Sequence, residues 1–164
     1  MKTLDELIKV YSTLLQAGEI QAAYRGIFGF LGKLRAALIK KYPHYEVSSF
    51  YQGYMDMSYF SLSTKALKDK GLKIAVVYLH EKGAFEAWLS ARNRDIAKTY
   101  ASMLKRDGRG NLNLFHDESN SDAILECSLN SNPSFEDQDS LIETIDQALR
   151  IFVKTISDRL SIEF

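Results

Sequence analysis

The stretch KIAVVYLHEKGAFEAWLS, residues 73–90, decides the fold of this chain. Residues 73–79 are continuously apolar after the lysine, which is typical of a central strand covered on both faces. Residues 80–83 then form a turn ending on glycine, and residues 84–90 alternate along a second strand. In that strand Phe85, Ala87 and Leu89 fall on one side, and Glu86, Trp88 and Ser90 on the other. The sequence therefore predicts a β-hairpin at the centre of a sheet.

Helical patterns lie on both sides of this hairpin. Thr3 and Glu6 form a capping box before a first helix, and an apolar stripe predicts a second helix over about residues 19–40. The short connection between them favours an antiparallel helical hairpin. Ser140 and Glu143 form a second capping box before a long C-terminal helix.

Further strands and a loop complete the predicted order. One long strand, or two short ones bent near Gly53, is expected over residues 46–62, and a last strand over residues 123–129. Ser63 is expected to cap a short helix over residues 63–70, and residues 107–122 to form a mobile loop. The fold class is α+β: an N-terminal helical hairpin, an antiparallel or mixed sheet of about four strands with a central hairpin, and a long C-terminal helix packed on one face. No repeat or linker divides residues 1–164, so a single domain is expected.

Composition restricts the partners and the compartment. Twenty-one basic residues balance 21 acidic ones, so no long-range field attracts nucleic acid or an anionic membrane, and neither is expected as a partner. The single cysteine, Cys127, excludes an intrachain disulfide and suits a reducing compartment. The N-terminus lacks the apolar core of a signal peptide, and no stretch approaches the roughly 18 to 20 apolar residues of a membrane span. These features predict a cytoplasmic protein.

The segment FYQGYMDMSYFSL, residues 50–62, carries aromatic side chains around one acid. Strand alternation divides it into two sets. One set is expected to pack under the helices: Met55, Met57 and Tyr59. The other is expected on the opposite face of the sheet: Tyr54, Asp56, Ser58 and Phe60.

The same alternation predicts a binding face. Glu86 and Trp88 point to the side of Asp56. Arg92 and Arg94 follow just beyond their strand, where they can neutralise the acids or bind an anionic ligand. We therefore expect a ligand- or partner-binding face formed by Tyr54, Asp56, Glu86, Trp88 and Arg92. Exposed aromatic residues also mark protein interfaces, so a homodimer or a protein partner is expected.

A metal-dependent enzyme is the alternative. Asp56, Glu86 and Glu126 would each come from a different strand, and three converging carboxylates suit a hard cation such as Mg²⁺ acting on a phosphate-containing substrate. No other cofactor is expected. The usual nucleotide, zinc-protease and hydrolase motifs are absent, and the histidines at 44, 80 and 116 are predicted as loop or turn residues. The balance favours a binding module over an enzyme.

Glycines mark the second helix. The string RGIFGFLG, residues 25–32, holds Gly26, Gly29 and Gly32, each of which costs about 1 kcal/mol against alanine in a helix. Close approach of another backbone explains such a cost best, and this glycine face is a second candidate for a homodimer contact.

Three segments carry a resemblance to a known family. They are YQGYMDMSYFSL, LKIAVVYLHEKGAFEAWLSARN and ILECSLNSNPSFEDQDSLIETI, together with the KKYP that ends the second helix. They resemble a family of short bacterial proteins classed as a domain of unknown function, with YQGYMDM as the most specific string. The resemblance spans nearly the whole chain and implies a single domain. It implies no reaction, ligand or catalytic residue.

Overall fold

The computed structural model describes residues 1–104 and 114–163. Their elements in chain order are α1 (Leu4–Gln16), α2 (Glu19–Lys41), β1 (Glu46–Val47), β2 (Met57–Ser63), α3 (Lys65–Asp69), β3 (Leu72–Leu79), β4 (Ala84–Ala91), α4 (Arg94–Leu104), β5 (Leu114–Phe115), β6 (Leu125–Asn130) and α5 (Gln138–Leu160). The predicted α+β class and the long C-terminal helix are confirmed. Of the predicted loop over residues 107–122, residues 107–113 lie outside the described residues.

Contacts along the chain divide it into two compact units, Met1–Ala36 and Ala37–Phe164. The first holds α1 and most of α2, and the second holds the sheet with α3, α4 and α5. That the whole chain forms one domain stays a prediction.

In the first unit, α1 begins at the predicted capping box. The backbone N–H of Thr3 donates to Glu6 Oε2 at 2.7 Å, and the N–H of Glu6 donates to Thr3 Oγ1 at 3.3 Å. Helix α2 continues without a break past Gly26, Gly29 and Gly32. A Cβ added at any of these glycines would meet no described atom within 4 Å. A close approach by another backbone from the described part of this chain is therefore wrong, and the homodimer contact through this glycine face stays a prediction.

The sheet of the second unit is antiparallel throughout, in the order β1-β2-β3-β4-β6-β5. The predicted central hairpin is confirmed, with Leu79 opposite Ala84 at its turn. The described residues form six strands, where about four were predicted. The difference comes from β1 and β5, which have two residues each and are too short to show an alternating pattern.

One face of the sheet, which we call the covered face, holds the main core. Phe60, Val76, Ala87 and Cys127 stand side by side across four strands and are all buried. Helix α5 packs against β4 and β6. Its apolar stripe is buried: Leu141, Ile145, Leu149, Phe152, Ile156 and Leu160. The ring of Phe135, just before α5, contacts Tyr78 and Phe85 of the covered face, so α5 lies on this side.

The end of α2 is tied to α5 by a buried acid. Asp146 accepts a hydrogen bond from the Tyr42 hydroxyl at 2.7 Å and forms ion pairs with Lys41 and Arg150. Desolvation, followed by the neighbouring Asp146 carboxylate, raises the pKa of Tyr42. The tyrosine therefore stays protonated and continues to donate, which gives part of the KKYP string a structural role.

The predicted faces of residues 54–60 are wrong. Ser58 and Phe60, expected on the opposite side from the helices, are completely buried, whereas Met57 and Tyr59 are half-buried on the other face. Met55 was expected in the core, yet it is 48% exposed.

A turn before β2 explains this error. Gly53 and Met55 have positive φ angles of 74° and 67°, so residues 53–56 do not follow a pleated strand. Alternation applies only from Met57, where β2 begins, and it cannot be extended back through the turn.

Candidate functional site

The second face of the sheet, which we call the open face, borders a cavity of about 490 Å³. The floor of this open-face cavity consists of Met57 and Tyr59 from β2, Ala75 from β3 and Trp88 from β4. Its sides come from Tyr51, the start of α4 and residues 121–124. A cavity of this size lies within the range of about 300 to 1,000 Å³ found for small-molecule sites.

Strand register creates the apolar floor. Trp88 stands directly opposite Ala75, and the small alanine leaves room above the sheet for the indole ring. Ala75, Val77, Trp88 and Ala123 form a hydrophobic cluster of buried residues, and Trp88 is 7% exposed. The indole is thus held by its neighbours while it lines the cavity.

Two cations lie on the rim of the open-face cavity. Lys73 precedes the apolar part of β3, and Arg94 is the first residue of α4. Both side chains are exposed, and neither forms an ion pair with a residue in the described part of the chain. The N-terminus of α4 adds a favourable dipole for a negative charge. Asp122, in the wall formed by residues 121–124, also lines this cavity.

The wall formed by residues 117–124 is fastened to the sheet. Ser90 Oγ donates to the carbonyl oxygen of Asp122 at 2.6 Å, and the N–H of Ile124 donates to the carbonyl of Leu89 at 2.7 Å. Within the wall, Ser119 donates from both its N–H and its hydroxyl to Asp117 Oδ1, which holds the pKa of Asp117 below its usual value. These bonds preorganise one side of the cavity.

Glu126 anchors the same wall from below. This side chain on β6 is completely buried, and its two oxygens accept three hydrogen bonds. His116 Nδ1 lies 3.0 Å from Oε2, while Asn120 Nδ2 and the Asp117 N–H lie 3.1 and 3.4 Å from Oε1. Desolvation raises the pKa of Glu126, and the contact with His116 acts against this shift.

A smaller cavity of about 180 Å³ lies beside the first, between Glu86, Trp88 and Glu126. Glu86 is buried, with Lys82 Nζ at 3.7 Å, and the Trp88 Nε1–H points at Glu86 Oε1 over 3.5 Å. Trp88 therefore separates the two cavities, and the Glu86 carboxylate orients its indole N–H.

The structure brings together only part of the predicted binding face. Glu86 and Trp88 share the open face as predicted. Arg92 instead lines a neighbouring cavity of about 670 Å³ beside β1 and β2, which shares Lys73 with the open-face cavity. Tyr54, 90% exposed, and Asp56 lie in the turn before β2. None of the cavities described above includes Tyr54 or Asp56 in its lining.

Asp56 serves the turn. Its Oδ1 accepts a hydrogen bond from the Tyr54 N–H at 2.9 Å, and such backbone hydrogen bonds hold the pKa of Asp56 below its usual value. In the described residues, no group of three His, Cys, Asp or Glu side chains could hold a metal ion. The magnesium alternative through Asp56, Glu86 and Glu126 therefore has no assembled ligand set in this part of the chain.

A serine and a histidine meet next to this turn. His80 Nε2 lies 2.8 Å from Ser58 Oγ, and the Ser58 hydroxyl donates its only hydrogen to the carbonyl of Gln52. The hydrogen between Ser58 and His80 must then belong to the imidazole, which consequently cannot take a proton from Ser58. Because Ser58 is also completely buried, the pair holds the turn in place and is not a nucleophilic site.

Sequence reasoning named Arg94 beside Arg92 as a group that could bind an anion, but it did not assign Lys73 or His116 to the site. Alternation back from Ala75 places Lys73 on the open face, and this signal was available in the sequence. The proximity of Arg94 and His116 to the open face depends on how α4 and β5 cross the sheet, which no local pattern shows.

Comparison with known proteins places the chain in a family. No curated protein and no solved structure matches it. The predicted resemblance to a domain of unknown function is confirmed, while the bacterial origin and the specificity of the YQGYMDM string stay predictions. A family model described as "Domain of unknown function (DUF7000)" matches residues 4–160, and the chain therefore belongs to this family.

Proposed function

We propose that this protein is a binding module that holds a small molecule with a flat ring and an anionic group in the open-face cavity. One observation carries the proposal: Trp88 lines an apolar floor beside two cations, Lys73 and Arg94, that have no ion-pair partner in the described residues. The proposal keeps Trp88 of the predicted binding face and replaces Arg92 with Arg94.

The floor favours a flat ring. Trp88 and Tyr59 supply aromatic surface, and Met57 supplies a polarisable side chain that adapts to a ring edge. A bound ring would cover apolar surface of Met57 and Tyr59, which are only half-buried without it. Removal of this surface from water stabilises a complex by about 25 cal/mol per Å².

The rim favours an anion in one orientation. Lys73 and Arg94 attract a carboxylate or a phosphate, and the guanidinium of Arg94 can donate to two oxygens at once. Asp122, the acid in the lining, repels an anion and suits an N–H or hydroxyl donor of the ligand. The charges of the cavity thus point the anionic group of the ligand toward the start of α4.

An equilibrium binding assay with matched ring compounds tests the proposal. The probes are adenosine monophosphate against adenosine, and indole-3-acetate against its amide, within a library of similar phosphate and carboxylate pairs. Removal of one charge-assisted hydrogen bond costs about 1.5 to 3 kcal/mol. We therefore expect at least one anion to bind about tenfold or more tightly than its neutral partner.

Charge reversal locates the site. Arg94→Glu should abolish the preference for the anion, whereas Lys98→Glu, on the same helix but outside the lining of the cavity, should leave it unchanged. The phosphate and carboxylate pairs distinguish the two sources of negative charge. The proposal fails if no anion binds better than its neutral partner, or if both variants weaken binding equally.

The location of the protein is part of the same proposal. Among the described residues, no helix has both the length and the apolar content needed to cross a bilayer. We propose the cytoplasm as the compartment, because a single cysteine suits a reducing environment. We also propose binding without catalysis, because the open-face cavity brings together groups that can hold a ligand. The described residues offer no group of three His, Cys, Asp or Glu side chains for the metal of the alternative.

A further inference from the structure

We propose that the apolar face of α1 is a contact surface for a second copy of this chain. No residue of α1 is buried. Six large apolar side chains of this helix are between 42% and 71% exposed: Leu4, Leu7, Ile8, Val10, Tyr11 and Leu14. This inference concerns the N-terminal unit and is independent of the open-face cavity.

A helix of this kind needs a partner. Helix α1 has 13 residues, and isolated helices shorter than about 12 to 15 residues are marginal in water. The capping box and the acidic first turn, Asp5 and Glu6, stabilise its beginning only. Packing of the amphipathic face supplies most of the stability of a helix, and in α1 that face is exposed.

The spacing of four of these side chains is symmetric, which suits self-association. Leu4 and Leu14 lie five positions on either side of Lys9, and Leu7 and Tyr11 lie two. Two copies of α1 related by a two-fold axis at Lys9 would therefore run antiparallel with apolar groups in register. A surface of this type is self-complementary, as an isologous dimer requires.

The charges of α1 do not oppose this arrangement. Lys2, Asp5, Glu6 and Lys9 lie on the polar side of the helix, opposite the apolar stripe. In the antiparallel pair these side chains point away from the partner helix, so no like charges meet across the contact. Two acids and two lysines on the polar side also differ from the Lys- and Arg-rich face of helices that bind anionic membranes.

The area is sufficient for a weak dimer. If a fully exposed large apolar residue offers roughly 200 Å², the six side chains present roughly 600 Å² on each copy. Two copies would bury roughly 1,200 Å², the lower limit of specific protein interfaces. We expect dissociation in the micromolar range, which makes the oligomeric state depend on concentration.

Sedimentation equilibrium from about 5 to about 500 μM tests the proposal. The full chain should change from monomer to dimer across this range. Leu7→Glu should shift the midpoint at least tenfold to higher concentration, and Thr13→Glu, on the polar side, should not shift it. Neither residue is buried, so both variants should keep the thermal unfolding of the sheet. Leu14→Glu provides a second variant on the apolar stripe.

Cysteine cross-linking tests the register. In the antiparallel pair, position 7 of one copy lies next to position 11 of the other, within the roughly 7 Å between Cα atoms that a disulfide tolerates. A mixture of Leu7→Cys and Tyr11→Cys chains should therefore cross-link, whereas Leu7→Cys alone should not, because its two copies are displaced by about 6 Å along the helix axis. The native Cys127 is buried and should not contribute.

Four outcomes would overturn the proposal. The first is a monomer at every concentration. The second is dimerisation that Leu7→Glu and Leu14→Glu leave unchanged. The third is cross-linking of Leu7→Cys to itself, which indicates a parallel arrangement. Binding of the monomer to anionic vesicles through α1 would assign the surface to a membrane and would also contradict it.

Discussion

The buried carboxylate of Glu126 offers the sharpest test of how the wall of the open-face cavity is held. We consider His116→Ala. This change removes the imidazole that lies 3.0 Å from Glu126 Oε2 and leaves the carboxylate with Asn120 and the Asp117 N–H as donors. In the wild type Glu126 is completely buried, so the loss of one donor falls on a carboxylate that has little access to water.

The magnitude follows from the type of bond. A hydrogen bond to a charged group contributes about 1.5 to 3 kcal/mol to the free energy of unfolding, and the Oε2 atom loses its one partner among the described residues. The His116 side chain is 22% exposed, so water partly replaces it and the lower half of this range applies. We expect a loss of about 2 kcal/mol, which lowers the melting temperature by about 4 to 8 °C in a chain of this size.

A double-mutant cycle with Glu126→Gln isolates the pair. Urea unfolding at pH 7 gives the free energy of unfolding for the wild type, His116→Ala, Glu126→Gln and the double variant. Glutamine keeps the shape of the side chain but carries no charge, so His116→Ala should cost about 1 kcal/mol less in the Glu126→Gln background than in the wild type. Ser119→Ala, in the same wall but without contact to Glu126, is the control and should show no coupling.

Additivity would refute this reasoning. If the effects of His116→Ala and Glu126→Gln add to within about 0.5 kcal/mol, the two side chains do not interact in solution. An unchanged stability in His116→Ala would likewise show that the carboxylate is satisfied without the imidazole.

Three further predictions follow from other parts of the chain. Burial raises the pKa of Glu126 above its unfolded value, so the contribution of Glu126 to stability is greatest below about pH 4.3 and is lost as the pH rises through the folded pKa. The free energy of unfolding of the wild type should therefore fall relative to that of Glu126→Gln over this pH range. Parallel pH profiles of the two proteins in urea titrations would contradict this prediction. Gly53→Ala should destabilise the protein by more than 1 kcal/mol, because φ is 74° and the added Cβ would lie 1.9 Å from the carbonyl oxygen of Met57. Met55→Gly, at φ 67°, should stabilise the protein by about 0.5 to 1 kcal/mol. If thermal unfolding shows changes of the same sign for both variants, residues 53–56 do not form the turn described above. Gly29→Ala should raise the free energy of unfolding by about 0.5 to 1 kcal/mol, since no described atom outside the backbone of α2 lies within 4 Å of the new methyl group. A destabilised protein in thermal unfolding would show that another backbone does approach α2.

The sequence predicted those parts of the fold that depend on local periodicity. Alternation in residues 84–90 correctly placed Glu86 and Trp88 on one face, because β4 is a regular strand over its full length. The capping box at Thr3 was also correct. Two other caps were displaced: Thr64 caps α3 in place of Ser63, and Asp137 caps α5 in place of Ser140. Adjacent polar residues offer alternative caps of similar strength, so the sequence alone does not select one.

The cavity could not be predicted in the same way. Met55 illustrates one reason: a positive φ at a non-glycine residue interrupts alternation without any sign in the sequence. Arg94 illustrates another. The strand pattern ends before Arg94, so its position beside the open-face cavity depends on the direction in which α4 leaves β4. The aromatic floor, Lys73 and Arg94 were thus each accessible to sequence reasoning, but the cavity that they line together was not.

The indole N–H resonance of Trp88 tests the central claim most directly. Trp88 is the only tryptophan in the sequence, so a two-dimensional ¹H–¹⁵N spectrum contains a single indole signal from the floor of the open-face cavity. Titration with an anion that binds in the equilibrium assay should shift this signal to saturation, with the same dissociation constant in Lys98→Glu and no saturation in Arg94→Glu. An indole signal that stays fixed while the anion binds would place the ligand elsewhere and contradict the account.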